Sequence, residues 1–167
     1  MTEALTVEER GETITFAFDD MMRFHGPHSP AGVAIAFKVL QRAFALLCPG
    51  AVPDRRSIGV RTAFRGPGAR DGFEAVTRAV SEGRYLVDRD LVRVDRGRLL
   101  EDFVFEVDVG GRTVTLGLRD GFVDDEFIDL ARTQNRSEVQ EARLDALKAR
   151  LARKVMATAA EDLLDAL

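Results

Sequence analysis

The feature that most constrains this chain is the run Pro30–Leu47, PAGVAIAFKVLQRAFALL, apolar except at Lys38, Gln41 and Arg42. A run of this kind either crosses a membrane or forms the buried centre of a domain. From Ala31 to Leu47 it is short for a bilayer and carries its polar residues on one narrow stripe, so we expect a central buried helix. Ser29 and Pro30 supply an N-cap and a first-turn residue. Cys48-Pro49-Gly50 ends the helix. Ala31, Gly32, Ala34 and Ala36 leave space for another backbone to approach its first turns.

Around this helix the remaining elements are short. ITFAF (Ile14–Phe18) predicts a strand, and Asp19 predicts the N-cap of a brief helix through Met21, Met22 and Phe24. Gly26-Pro27 stops that helix. Ser57–Phe64 predicts a strand, and GPGARDG (Gly66–Gly72) a turn into a helix at about Asp71–Glu82, with Asp71 as N-cap. Three strands follow, one within Arg84–Val94, then Glu101–Val109 and Arg112–Arg119, the last two joined at Gly110-Gly111. Asp124-Asp125 caps a helix reaching about Arg132. Ser137-Glu138-Val139-Gln140 has the form of a capping box. The helix it opens carries Leu144, Leu147, Leu151, Val155, Ala159 and Leu163 on one face and is expected to run to Leu167. Roughly thirty residues make a rod of about 45 Å, longer than the domain, which points to a partner chain.

Length and charge narrow the function. A chain of 167 residues forms one domain with a real core. Its net charge is −4, and its arginines are interleaved with acids, as in DRDLVRVDRGRLLED, so no nucleic-acid partner is expected. Cys48 is the sole cysteine, which excludes an internal disulfide, a Cys-based zinc finger and an iron–sulfur cluster. The acidic start MTEALTVEERGE reads as neither a signal nor a transit peptide. These features predict a cytoplasmic protein with no membrane partner.

Both histidines lie in Phe24–Gly32, FHGPHSPAG. Gly26-Pro27 makes the segment a loop, so whether the two rings converge depends on the turn. An imidazole at the mouth of the following helix feels the positive end of its dipole, which leaves a nitrogen lone pair free for a metal or for base chemistry. The same helix end offers N–H groups to an anion. The competing reading packs His25 as a hydrogen-bonded interior side chain and leaves His28 on the surface. GPGARDG has the glycines of a phosphate loop but neither its Lys nor a GKS or GKT ending. Beside His25, Asp71 would orient the ring or add an oxygen ligand. Cys48 reads as a small buried hydrophobe. Nothing near Tyr85 marks it as an acid, and no nucleophile elbow is present.

A helix ending in FHG, a Ser-Pro opening an alanine-rich helix, a strand, and a GPGARDG turn into a helix together resemble the FmdE-like family, which takes its name from a component of formylmethanofuran dehydrogenase and includes bacterial relatives. That family's signature resembles F-H-G-H-x-[CS]-P-G, with a Cys further on, three residues before an Asp. VDDEFIDLAR and the terminal helix are similar too. The resemblance spans roughly Phe16–Leu167, with its specific motifs in Phe24–Gly32 and Gly66–Ala75. It implies an α+β fold in the order α-β-α-β-β-β, a mixed sheet with helices packed on it, plus the long C-terminal helix. The core would occupy residues 1–120 and a helical extension residues 121–167. It also implies a homodimer, a divalent metal such as zinc, and an oxidoreductase complex partner.

The motif is altered in this chain. His25 matches the first motif His, but the second falls on Pro27, with His28 one place later. The Gly after the motif proline is Ala31, the cysteine position is Gly68, and Asp71 matches the Asp. His25, His28 and Asp71 would then be the metal ligands, at a site weaker for soft metals without the thiolate. The alternatives are a metal-free dimeric structural or interaction protein with a degenerate site, and an enzyme using His25 as general base oriented by Asp71.

Overall fold

The computed structural model describes residues 3–167; Met1 and Thr2, the first two residues of the acidic start, lie outside them. It begins with a hairpin of which the sequence pattern predicts only the second strand. Ala4–Glu9 (β1) pairs antiparallel with Glu12–Ala17 (β2), which includes most of the expected ITFAF strand. In β1 the alternation ALTVEE buries Leu5 and Val7 and exposes Glu8, while Glu9, on the inner face, is half-buried against Arg55 and Arg56. Arg10 and Gly11 make the two-residue turn, both at positive φ (52° and 81°), as a tight hairpin of this hand requires.

Phe18–His25 (α1) starts one residue before the expected cap. Ala17 is the N-cap, and Asp20, not Asp19, accepts from the Ala17 N–H at 2.8 Å. Gly26, at φ 91°, closes the helix. Pro30–Leu47 (α2) has the predicted bounds. The strand Ile58–Thr62 (β3) follows. Pro67–Thr77 (α3) begins four residues before Asp71, with Gly66 as N-cap and Pro67 in the first turn, so most of the glycine-rich "turn" is helix. Tyr85–Val87 (β4), Val104–Val109 (β5) and Arg112–Leu118 (β6) are the three expected strands, trimmed at their ends. Asp125–Arg132 (α4) is capped by Asp124, whose carboxylate accepts from the Phe127 N–H. Glu138–Met156 (α5) opens with the Ser137–Gln140 capping box.

The rod expected beyond Met156 does not form. The chain turns at Ala157, makes a short helix Ala160–Leu163 (α6), and then adds Leu164–Ala166 (β7) to the free edge of β6. Leu163 and Leu164 are buried there. The leucine spacing continued as a helix would, but the unpaired N–H and C=O groups along β6 offered the backbone a better partner. At 19 residues α5 spans about 28 Å and fits the domain. Its length therefore gives no reason to expect a partner chain.

The result is an α+β fold with a five-stranded mixed sheet in the order β4-β3-β5-β6-β7, in which only β4 and β3 run parallel. Ile58, Val60 and Thr62 of β3 and Phe105, Val107 and Val109 of β5 alternate onto the buried face. There α2 lies against β5 and β6, flanked by α3 and α5. By length and composition α2 is able to cross a membrane, with mean hydropathy 1.4, yet 67% of it is buried inside the fold. Its polar stripe is not a solvated face. Lys38 is fully buried, with Nζ 2.7 Å from Glu3 Oε2, and Gln41 and Arg42 are half-buried.

The small residues of α2 serve its crossing with α3. A Cβ on Gly32 would lie 2.7 Å from the Ala69 nitrogen, and one on Gly72 2.9 Å from the Ala36 Cβ. At Gly68 it would lie 2.3 Å from the Ser29 carbonyl oxygen. Gly68 and Gly72 of GPGARDG are therefore contact points between two helices, while Gly66 abuts the Phe64 ring. Read alone, a glycine cluster signals a turn, because the partner helix is invisible in the sequence.

Candidate functional site

His25 is the last residue of α1, and α1 packs on α3, which carries Asp71 in its second turn. The fold brings these two together: His25 Nδ1 lies 2.7 Å from Asp71 Oδ2. The His25 side chain is 5% exposed and that of Asp71 33%. The other ring nitrogen, Nε2, is buried with no hydrogen-bond partner. His28, in the turn between α1 and α2, is exposed, and its ring makes no hydrogen bond among the described residues. It does not join the pair.

The donor set does not fit a metal ion. Zinc wants three or four N, S or O ligands. Among the described residues no group of three or more His, Cys, Asp and Glu side chains is placed to hold one. The position where the related motif has a cysteine is Gly68, and even a Cβ there would collide with Ser29. A thiolate would have to force α2 and α3 apart. Cys48, the one thiol, is half-buried at the far end of α2.

Tyr85, unremarked by its sequence neighbours, is unusual in the fold. Its hydroxyl is buried without a partner, and burial pushes the phenol up to about 12, opposed only by the Arg70 charge.

The place best formed to receive a molecule lies elsewhere. A cavity of about 390 Å³ opens where the first turns of α2 and α3 meet α4 and α5. Ile35, Leu99, Phe103, Phe127, Leu144 and Leu151 give it an apolar lining. Its polar wall is cationic, with Arg65, Arg98, Arg132, Arg136 and Lys148 set against one carboxylate, Asp102.

Most of those cations already have partners. Arg98 pairs with Asp125 and Asp129, and Arg132 with Glu101 and Asp102. Arg136 pairs with Glu141 and donates to the carbonyls of Leu130 and Thr133 at the end of α4. Lys148 differs: among the described residues its one polar contact is the Ser29 Oγ at 3.5 Å. Ser29 is 8% exposed, and its side chain does not cap α2 as the sequence predicts.

Neither His25 nor Asp71 lines this cavity; Ser29, Ala31, Gly32, Gly66, Pro67 and Gly68 do, residues that the sequence marks as a helix start and a glycine-rich turn, whereas its cationic side chains belong to no motif. One signal was available. Lys148 interrupts the apolar face of α5, four residues after Leu144 and three before Leu151. A lysine on such a face is either snorkelling or facing something. The arginines carried no signal, because their acidic neighbours made them look like ordinary solvated surface. No family model matches the chain, and no curated protein is similar to it in sequence.

Proposed function

We propose that this protein binds a small organic molecule in the cavity between the first turns of α2 and α3 and the α4–α5 pair. The observation that supports the reading is the cavity itself, about 390 Å³, apolar within and with convergent polar groups on one side. That is the size and chemistry of a ligand site. The function is recognition, independent of a metal ion. Within the FmdE-like resemblance, this chain is a member that keeps the small-residue helix pair and has lost the ligand set, with His28 turned outward and Gly68 in the thiolate position. We keep the cytoplasmic expectation within this proposal; the burial of α2 supports only its place as a core helix.

The test uses N-phenyl-1-naphthylamine, a neutral dye that brightens in apolar surroundings. Saturable enhancement with the native protein, unaffected by a chelator and lost when Ala131→Trp plugs the exposed rim of the cavity, is the expected result. Enhancement that survives Ala131→Trp, or that needs a divalent metal, would refute the reading.

A further inference from the structure

Resting on that ligand-binding reading, we propose that the molecule is an amphiphilic oxyanion. Its carboxylate or phosphate head sits at Lys148 and Ser29, and its apolar body lies along Leu99, Phe103 and Phe127.

The case starts from charge left without a partner. Lys148 is half-buried in the cavity wall, and no carboxylate among the described residues pairs with its ammonium. Asp102, the carboxylate lining the cavity, is engaged by Arg89 and Arg132. An ammonium that faces an apolar-lined cavity with no counter-charge is left able to pair with a ligand's negative group. Beside it, Ser29 is nine-tenths buried and offers its hydroxyl to the cavity rather than to the helix it precedes.

The backbone adds to the same sign. Neither α2 nor α3 has a side-chain cap, and neither has an acidic residue in its first turn. Both helices therefore present uncompensated N–H groups at this corner, and Ala31, Gly32 and Gly68 line the cavity there. An ammonium, a buried hydroxyl and two helix N-termini converge on one end of the cavity; beyond them the lining is apolar apart from Asp102 and arginines, of which Arg98, Arg132 and Arg136 are already held by carboxylates. A neutral ligand would leave that end uncompensated, and a cation would be repelled by it. An oxyanion accepts from all of these donors at once. At the rim Arg65 is exposed and, among the described residues, also without a carboxylate partner, placed to meet a second negative charge.

Displacement of N-phenyl-1-naphthylamine by octanoate, octyl phosphate and 1-octanol tests this. The three share a chain and differ in the head. Both anions are expected to displace the dye at concentrations about tenfold or more below that of octanol. Lys148→Met should remove most of that advantage while leaving octanol unchanged, and Ser29→Ala should weaken the anions by a smaller factor. Arg65→Gln should weaken octyl phosphate more than octanoate if the head is a phosphate, and neither if it is a carboxylate. Octanol competing as well as octanoate, or anion affinity unaltered by Lys148→Met, would overturn the proposal while dye binding, and the ligand-binding reading, stood. Absence of dye binding to the native protein would remove both.

Discussion

Nδ1 of His25 and Oδ2 of Asp71 lie 2.7 Å apart, tying the end of α1 to the middle of α3 across 46 positions of sequence. The pair holds the imidazole by one nitrogen and leaves the other buried and unpartnered. It is a fixed ring rather than a coordination sphere, since nothing comparable stands opposite Nε2 among the described residues. The same contact explains why the two residues look like a site in the sequence: the motif holds the α1–α3 junction together.

Removing the carboxylate should therefore cost more than removing both groups. Asp71→Ala leaves both ring nitrogens of a 5%-exposed histidine without a partner, a loss of about 1–3 kcal/mol. His25→Phe removes the polar atoms altogether and is expected to lie nearer neutral. Urea unfolding of the two variants and their combination checks this, the double variant being less destabilised than the sum.

Gly68 should refuse a side chain. Alanine is favoured over glycine in a helix by about 1 kcal/mol, yet a Cβ here meets a backbone oxygen at 2.3 Å. Gly68→Ala is expected to destabilise by about 2 kcal/mol, and Gly68→Cys by more. A thiol introduced at this position would not create a metal site, which metal analysis of the Cys variant would show directly.

Lys38 and Glu3 should respond in opposite directions. Glu3→Ala strands a fully buried ammonium, at a cost of about 2 kcal/mol. Lys38→Met fills the same space with an apolar chain and is expected to leave thermal stability unchanged or raised. The two melting temperatures are the measurement.

Tyr85 gives a pH dependence with a defined sign. In the unfolded chain the phenol loses its proton near 10, whereas in the folded protein burial holds the proton until about 12. Between those values the native state binds more protons than the unfolded state, so stability is present below pH 10 and falls as pH rises toward 12. Tyr85→Phe should remove that part of the decline, and it also removes a buried hydroxyl with no partner. With one tyrosine and no tryptophan, absorbance in the near ultraviolet reports this titration alone.

Leu163 tests the return of the chain to the sheet. It is fully buried, and β7 follows it at once onto the edge of β6. Leu163→Ala should cost about 2–5 kcal/mol. If residues beyond Met156 instead continued α5 into solvent, the substitution would change stability little, and circular dichroism would show more helix than α5 and α6 supply.

Features that one element carries alone were legible in the chain before it folds. The bounds of α2 followed from Ser29-Pro30 at one end and Cys48-Pro49 at the other. The β5–β6 hairpin followed from Gly110-Gly111, and the start of α5 from its capping box. Whatever needs a second element to exist was settled by packing. GPGARDG is helix because Gly68 and Gly72 meet Ser29 and Ala36 of α2. Lys38 is buried because the N-terminal hairpin brings Glu3 to it. Leu164–Ala166 is a strand because β6 had a free edge. His25 met Asp71 while His28 turned to solvent, a choice made by helix docking and not by the spacing of two histidines. The cavity is the extreme case, since its walls come from segments far apart in the chain, Ser29 and Lys148 among them, 119 positions from one another. Periodicity and capping act within a few residues, whereas a binding site is made by groups that meet only after the chain has packed.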